Sequence, residues 1–167
     1  MPELTHKERL QPSLLDRLTD DERDGGEGRD KRVLSLVQIR ESVRRDLAAL
    51  LNSVHLAALV DLERYPEAAR SVLNFGIPDL AGHTSSSVDV AKLEQLLRQA
   101  IWDFEPRLIR NSVKVRMIAN DTLNKHNSMQ FIIEAELWAQ PVPLQLFLKS
   151  QIDLEDGNVS VVDARKE

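Results

Sequence analysis

Ile101-Trp102-Asp103-Phe104-Glu105-Pro106-Arg107-Leu108 is where the hydrophobic period of this chain changes. Val90, Leu93, Leu97 and Ile101 lead into it at spacings of three and four, and Phe104 continues the same stripe, which predicts an amphipathic helix. Pro106 has no N–H to give a helix and pushes Glu105 out of the α region, so the helix is expected to stop here. A carboxylate and a guanidinium therefore flank a forced turn. They suit a bidentate, partly buried pair that fixes one element against another. They equally suit a helix end carrying two solvated charges, and the local chemistry does not choose.

Downstream the period becomes two. Val113, Val115 and Met117 alternate with Lys114 and Arg116, while Met129, Phe131, Ile133, Ala135 and Leu137 alternate with Gln130, Glu134 and Glu136. Ile132 is the apolar exception on the polar side of that second run. Leu144, Leu146, Leu148, Ile152 and Leu154 repeat the theme and Val159 and Val161 close it, predicting four mostly antiparallel strands. Asn120-Asp121 lies in the first connection, Pro141 and Pro143 flank the second, and Asp156-Gly157-Asn158 is a strong hairpin signal in the third. Lys149, Glu134 and Glu136 are candidates for charges that blunt a sheet edge, or ordinary outward residues.

Upstream, residues 33–62 are helical in pattern. Leu36, Val43, Leu47, Leu50, Leu51, Val54 and Ala58 make the apolar face, with Arg40, Glu41, Arg44, Arg45 and Asp46 opposite. One helix to Arg64, or two meeting at Asn52-Ser53, both fit, because those two residues weaken a helix interior. Residues 71–87 are irregular, with Gly76 supplying a positive φ and Pro78 a rigid corner. Ser86, three before Asp89, fits a variant capping box, with the helix starting at Ser87 or Val88. The fold class expected is α+β, two main helices packed on a small, mostly antiparallel four-stranded sheet in the C-terminal half.

Residues 1–32 read as a flexible segment and residues 33–167 as one α+β domain. Residues 20–32 are only charges and glycines, which cannot bury enough surface to order themselves. Before them Leu10, Leu14, Leu15 and Leu18 sit at helical spacing, either as a docking peptide for a partner groove or folded back on the domain. At 42% hydrophobic but 4% aromatic residues, the core must be mostly aliphatic. A net charge of −5 argues against nucleic acid as a partner, and no cysteine is present for disulfides, thiolate catalysis or cysteine-ligated metal. Residues 1–8 have no apolar stretch of the signal-peptide kind, and no run approaches the ~20 residues that span a bilayer. A soluble, cytoplasmic chain with no direct membrane insertion is expected.

Signals for catalysis are weak. His6, His55, His83 and His126 are far apart, without paired metal spacing, and no phosphate-binding glycine loop or GxSxG elbow occurs. Glu94, Asp103 and Glu105 resemble a glycosidase pair only in composition, since Glu94 lies three turns before Glu105. No catalytic residue, cofactor or metal site is expected, and the chain is read as a non-enzyme.

Ser71-Val72-Leu73-Asn74-Phe75-Gly76-Ile77-Pro78-Asp79-Leu80, the helix ending Phe104-Glu105-Pro106-Arg107-Leu108 and the all-β second half together resemble the TssE family. These are baseplate subunits of the bacterial type VI secretion system, similar to the small wedge protein of contractile phage baseplates, some of whose members have been labelled lysozymes. Ser13-Leu14-Leu15-Asp16-Arg17-Leu18 and Gln38-Ile39-Arg40-Glu41-Ser42-Val43 carry the same resemblance, which spans residues 10–163. It departs at Phe75, where the family often has tyrosine. The resemblance implies a structural role with TssF, TssG and TssK in the wedge and with the sheath proteins TssB and TssC, the sheath starting on this subunit by strand-exchange contacts. It also implies a place at the cytoplasmic side of the inner membrane. Glu105, Pro106 and Arg107 match the family's Glu-Pro-Arg hallmark, and Phe75, Gly76, Pro78 and Asp79 its second stretch. A peptidoglycan hydrolase and a generic adaptor are the competing readings.

Overall fold

A computed structural model describes residues 36–118, 127–138 and 143–164. The segment before residue 36, with Leu10, Leu14, Leu15 and Leu18, lies outside the described residues, as do Asn120, Asp121 and Pro141.

Helix α1 (Leu36–Leu51) ends just ahead of Asn52-Ser53, where two side chains compete for the helix's own carbonyls. Asn52 Nδ2 donates to the Ala48 carbonyl and Ser53 Oγ to that of Ala49, local bonding that disfavours continuation. The long-helix alternative is therefore excluded. Val54 and Ala58 lie beyond α1 and are exposed, so they do not belong to its apolar face. Ile39, not assigned to that face from the sequence, is buried with Val43, Leu47, Leu50 and Leu51.

A short helix α2 (Pro66–Ala69) follows, with the rigid Pro66 ring at its first turn. Helix α3 (Val90–Phe104) is capped by Asp89, whose carboxylate accepts the Lys92 N–H at 3.1 Å. Ser86 plays no part in that cap. Ser87 instead closes a loop turn by donating to the Thr84 carbonyl. Leu93, Leu97, Ala100 and Ile101 are buried, each large side chain contributing roughly 1.5–3 kcal/mol.

Strands β1 (Lys114–Ile118), β2 (Ser128–Leu137), β3 (Leu144–Asp153) and β4 (Val159–Asp163) pair antiparallel in the order β1-β2-β3-β4. The α+β class is thus as the periodicity predicts. The two long helices lie on one face of the sheet, α1 over β4 and α3 over β1, and touch each other. The inward residues Val115, Phe131, Ile133, Leu146, Leu148, Ile152 and Val161 fill the layer between. Gly157 at φ 77° turns the β3–β4 hairpin, its N–H donating to the Asp153 carbonyl.

Strand order removes the edge-blunting assignment: Glu134 and Glu136 lie on β2 and Lys149 on β3, both interior strands. Among the described residues the edges are β1 and β4.

Candidate functional site: the helix-to-sheet joint

Pro106 ends α3 as expected, leaving Glu105 as its C-terminal cap at φ −121°, ψ 78°. From there the chain turns under α1. Glu105 is 5% exposed, a carboxylate that burial would make costly without a partner. Arg107 supplies it as a two-pronged fork, Nε to Oε1 at 2.6 Å and Nη2 to Oε2 at 2.5 Å, with the Arg107 backbone N–H reaching Oε1 at 3.2 Å. The solvated alternative is therefore excluded.

The fork closes within the joint, so by itself it ties nothing distant. The long reach comes from the rest of the guanidinium: Nη2 also donates to Asp46 Oδ2 at 2.6 Å and Nη1 to Ser42 Oγ at 3.1 Å. Ser42 and Asp46 stand one turn apart on α1 and so share a face. Arg45 donates to the other Asp46 oxygen at 2.8 and 3.0 Å. Sequence reading put Asp46 on the solvated side of α1 and missed both partners. The signal was a serine and an acid four apart bordering an apolar stripe.

Backbone bonds tie the same residue to the sheet. The Trp138 N–H donates to the Arg107 carbonyl and the Ile109 N–H to that of Glu136, both at 2.8 Å, while Leu108 bridges Leu137. Arg107 thus joins α1, the end of α3 and β2. Burial favours its neutral form, but hydrogen bonds and charge from Glu105, then Asp46, outweigh this and hold the guanidinium above its ordinary pKa.

The second stretch reaches the joint through one residue. Phe75 meets Phe104 edge-on, ring centres 5.2 Å apart. Gly76 works elsewhere: the chain pairs with residues 53–55, Ile77 N–H donating to the Ser53 carbonyl and His55 N–H to that of Ile77. At φ 128° a Cβ on Gly76 would lie 2.3 Å from the Ser53 oxygen, so only glycine fits. Asp79 Oδ1 accepts the Ala81 N–H in a local turn, Pro78 is half-buried beside it, and Pro106 is exposed. Of these residues the structure gathers Glu105, Arg107 and Phe75 around one point. Gly76, Pro78 and Asp79 shape the approach.

The three acids considered as a catalytic pair have separate occupations. Glu94 Oε1 accepts the Met117 N–H at 2.7 Å, Asp103 accepts from Gln99 and faces Arg110 at 3.6 Å, and Glu105 is filled by Arg107. Among the described residues no group of acids and histidines is arranged to hold a metal ion. No described helix is long and apolar enough to cross a membrane.

A family model for baseplate wedge protein gp25 matches residues 37–142. This chain belongs to that family. TssE belongs to it as well, so the resemblance carried by the joint and the Phe75 stretch holds at family level. The span matched by the wedge family runs from α1 through β2 and includes every residue of the Ser42–Asp46–Glu105–Arg107 network. No curated protein and no solved structure matches the chain.

Proposed function

We propose that this chain is a structural subunit of a contractile type VI secretion baseplate, of the TssE kind, acting without catalysis of its own. It docks on the wedge formed by TssF, TssG and TssK and starts the sheath of TssB and TssC by strand exchange at its sheet. It works in the cytoplasm, at the inner face of the inner membrane when assembled.

The observation that carries this reading is the joint. Family membership supports a baseplate component, and the joint is a partly buried charge network in which the acid and base occupy each other, built for position. Its effect is to hold a four-stranded sheet at a fixed angle to α1, as a template for another chain's strand requires. Exposed apolar side chains on the connection between α1 and α3 also favour an assembly subunit over an enzyme. Leu59, Val72 and Leu73 are 82%, 79% and 67% exposed, a kind of surface that marks protein contacts.

The test is sheath assembly in cells carrying Glu105→Ala and Arg107→Ala together. The expected outcome is a folded protein that seeds little or no sheath. Normal sheath assembly with both side chains gone would remove the role assigned to the joint. A hydrolase would instead release muropeptides from purified cell wall, abolished by Glu105→Gln.

A further inference from the structure

The two edges of the sheet are finished differently. On β4, Asn52 acts as a surrogate strand: its side-chain carbonyl accepts the Val159 N–H at 2.9 Å and its amide donates to the Val159 carbonyl at 2.7 Å. Arg44 Nη1 donates to the Val161 carbonyl at 2.9 Å. Antiparallel pairing turns alternate residues toward the neighbouring strand, and Ala164 N–H donates across to Phe147. Val159 and Val161 are therefore the outward residues, and three of their four backbone groups are already taken, one by Arg44 of α1 and two by Asn52 just past its end.

On β1 the outward residues are Val115 and Met117, because the Met117 N–H goes to Glu94 and not to β2. Here one group is taken, by a carboxylate. The outward N–H and C=O of Val115 meet no donor or acceptor among the described residues. Val115 is 5% exposed, and buried backbone groups are nearly always paired. This is an edge with bonding capacity left over, in a sheltered position.

From these contrasts we infer that β1 is the edge that accepts a partner's extended segment, and that Glu94 is its latch. The inference rests on the strand-exchange reading above and says where that exchange occurs. Glu94 Oε1 occupies the place of an incoming backbone carbonyl on the Met117 N–H, so docking displaces it. The segment that fits is identified by charge. Lys114 and Arg116 are exposed on the outer face, so residues lying opposite them favour Asp or Glu at alternate positions. The intervening residues face inward beside Val115 and Met117 and favour aliphatic side chains.

The probe is a short end-capped peptide alternating Val and Glu, titrated into the isotope-labelled full chain and followed by amide NMR shifts. Shifts should centre on Val115 and Met117. The Lys114→Glu, Arg116→Glu pair should weaken binding on the order of ten-fold, through exposed side chains whose exchange leaves the core intact. Glu94→Ala should tighten it roughly two- to five-fold by removing a competitor worth a single hydrogen bond, with Glu94→Gln between. Asn52→Ala should leave it unchanged. Shifts centred on residues 159–163, or weaker binding by Glu94→Ala, would overturn the assignment. Sheath seeding by the Glu105→Ala, Arg107→Ala pair judges the broader reading separately. Seeding lost there, with the peptide on β4, would retain strand exchange and reject only this edge.

Discussion

Helix α1 is fastened along two flanks, one by side chains paired with side chains and the other by side chains paired with strand backbone. On one flank Ser42 and Asp46 receive Arg107, a half-buried ionic network whose other pole is a carboxylate 5% exposed. On the other, Asn52 and Arg44 stitch α1 to the outer edge of β4, Asn52 through a neutral amide on both backbone groups of Val159. A buried charge network is stable only when complete, because losing one partner strands the other charge in a poor solvent. A neutral amide gives and loses modest bonds. The difference separates a joint that must not move from a seam that seals an edge.

The largest expected effect breaks the ionic flank. Arg107→Ala leaves Glu105 buried without its fork and should cost about 3–5 kcal/mol, read by urea denaturation. Gly76→Ala tests the approach to the joint. Its new methyl meets the Ser53 backbone at a positive φ, which should cost about 3 kcal/mol and lower the melting temperature. On the neutral flank, Asn52→Ala removes two bonds to Val159 and should cost about 1–2 kcal/mol. It should also speed amide exchange at Val159 while leaving Trp138, bonded to Arg107, protected. A loss from Asn52→Ala as large as that from Arg107→Ala would erase the contrast.

The smallest effect lies off both flanks. Asp156 is held below the ordinary carboxylate range by the Asn158 backbone N–H and then the Asn158 side chain. A depressed folded value means its contribution is complete above the ordinary carboxylate pKa and disappears as pH falls through the lower one. Stability curves of the protein and Asp156→Ala should therefore differ slightly at neutral pH and converge in acid.

How much of this was legible in the chain follows from the range of each interaction. The period-two runs placed all four strands and their inward faces, because alternation is a property of neighbours. Pro106 placed the end of α3 for the same reason, and Glu105 with Arg107 was readable as a pair two residues apart. Asp46 was not, since its partner lies sixty-one positions away and a solvated helix acid has the same spacing. Lys149, Glu134 and Glu136 looked like edge charges only until strand order put them in the middle. Asn52 was seen as a helix weakener, which it is. Its bond to Val159, 107 residues on, had no local signature. Long-range polar bonds are fixed by topology, and topology is what periodicity leaves open.

The central claim is that Arg107 and the buried Glu105 act as one unit. A double-mutant cycle over Glu105→Ala, Arg107→Ala and the pair, by urea denaturation, tests it most directly. The pair should be no less stable than Arg107→Ala alone, because removing the carboxylate relieves the stranded charge. Losses that simply add would show that the two groups act independently and contradict the account.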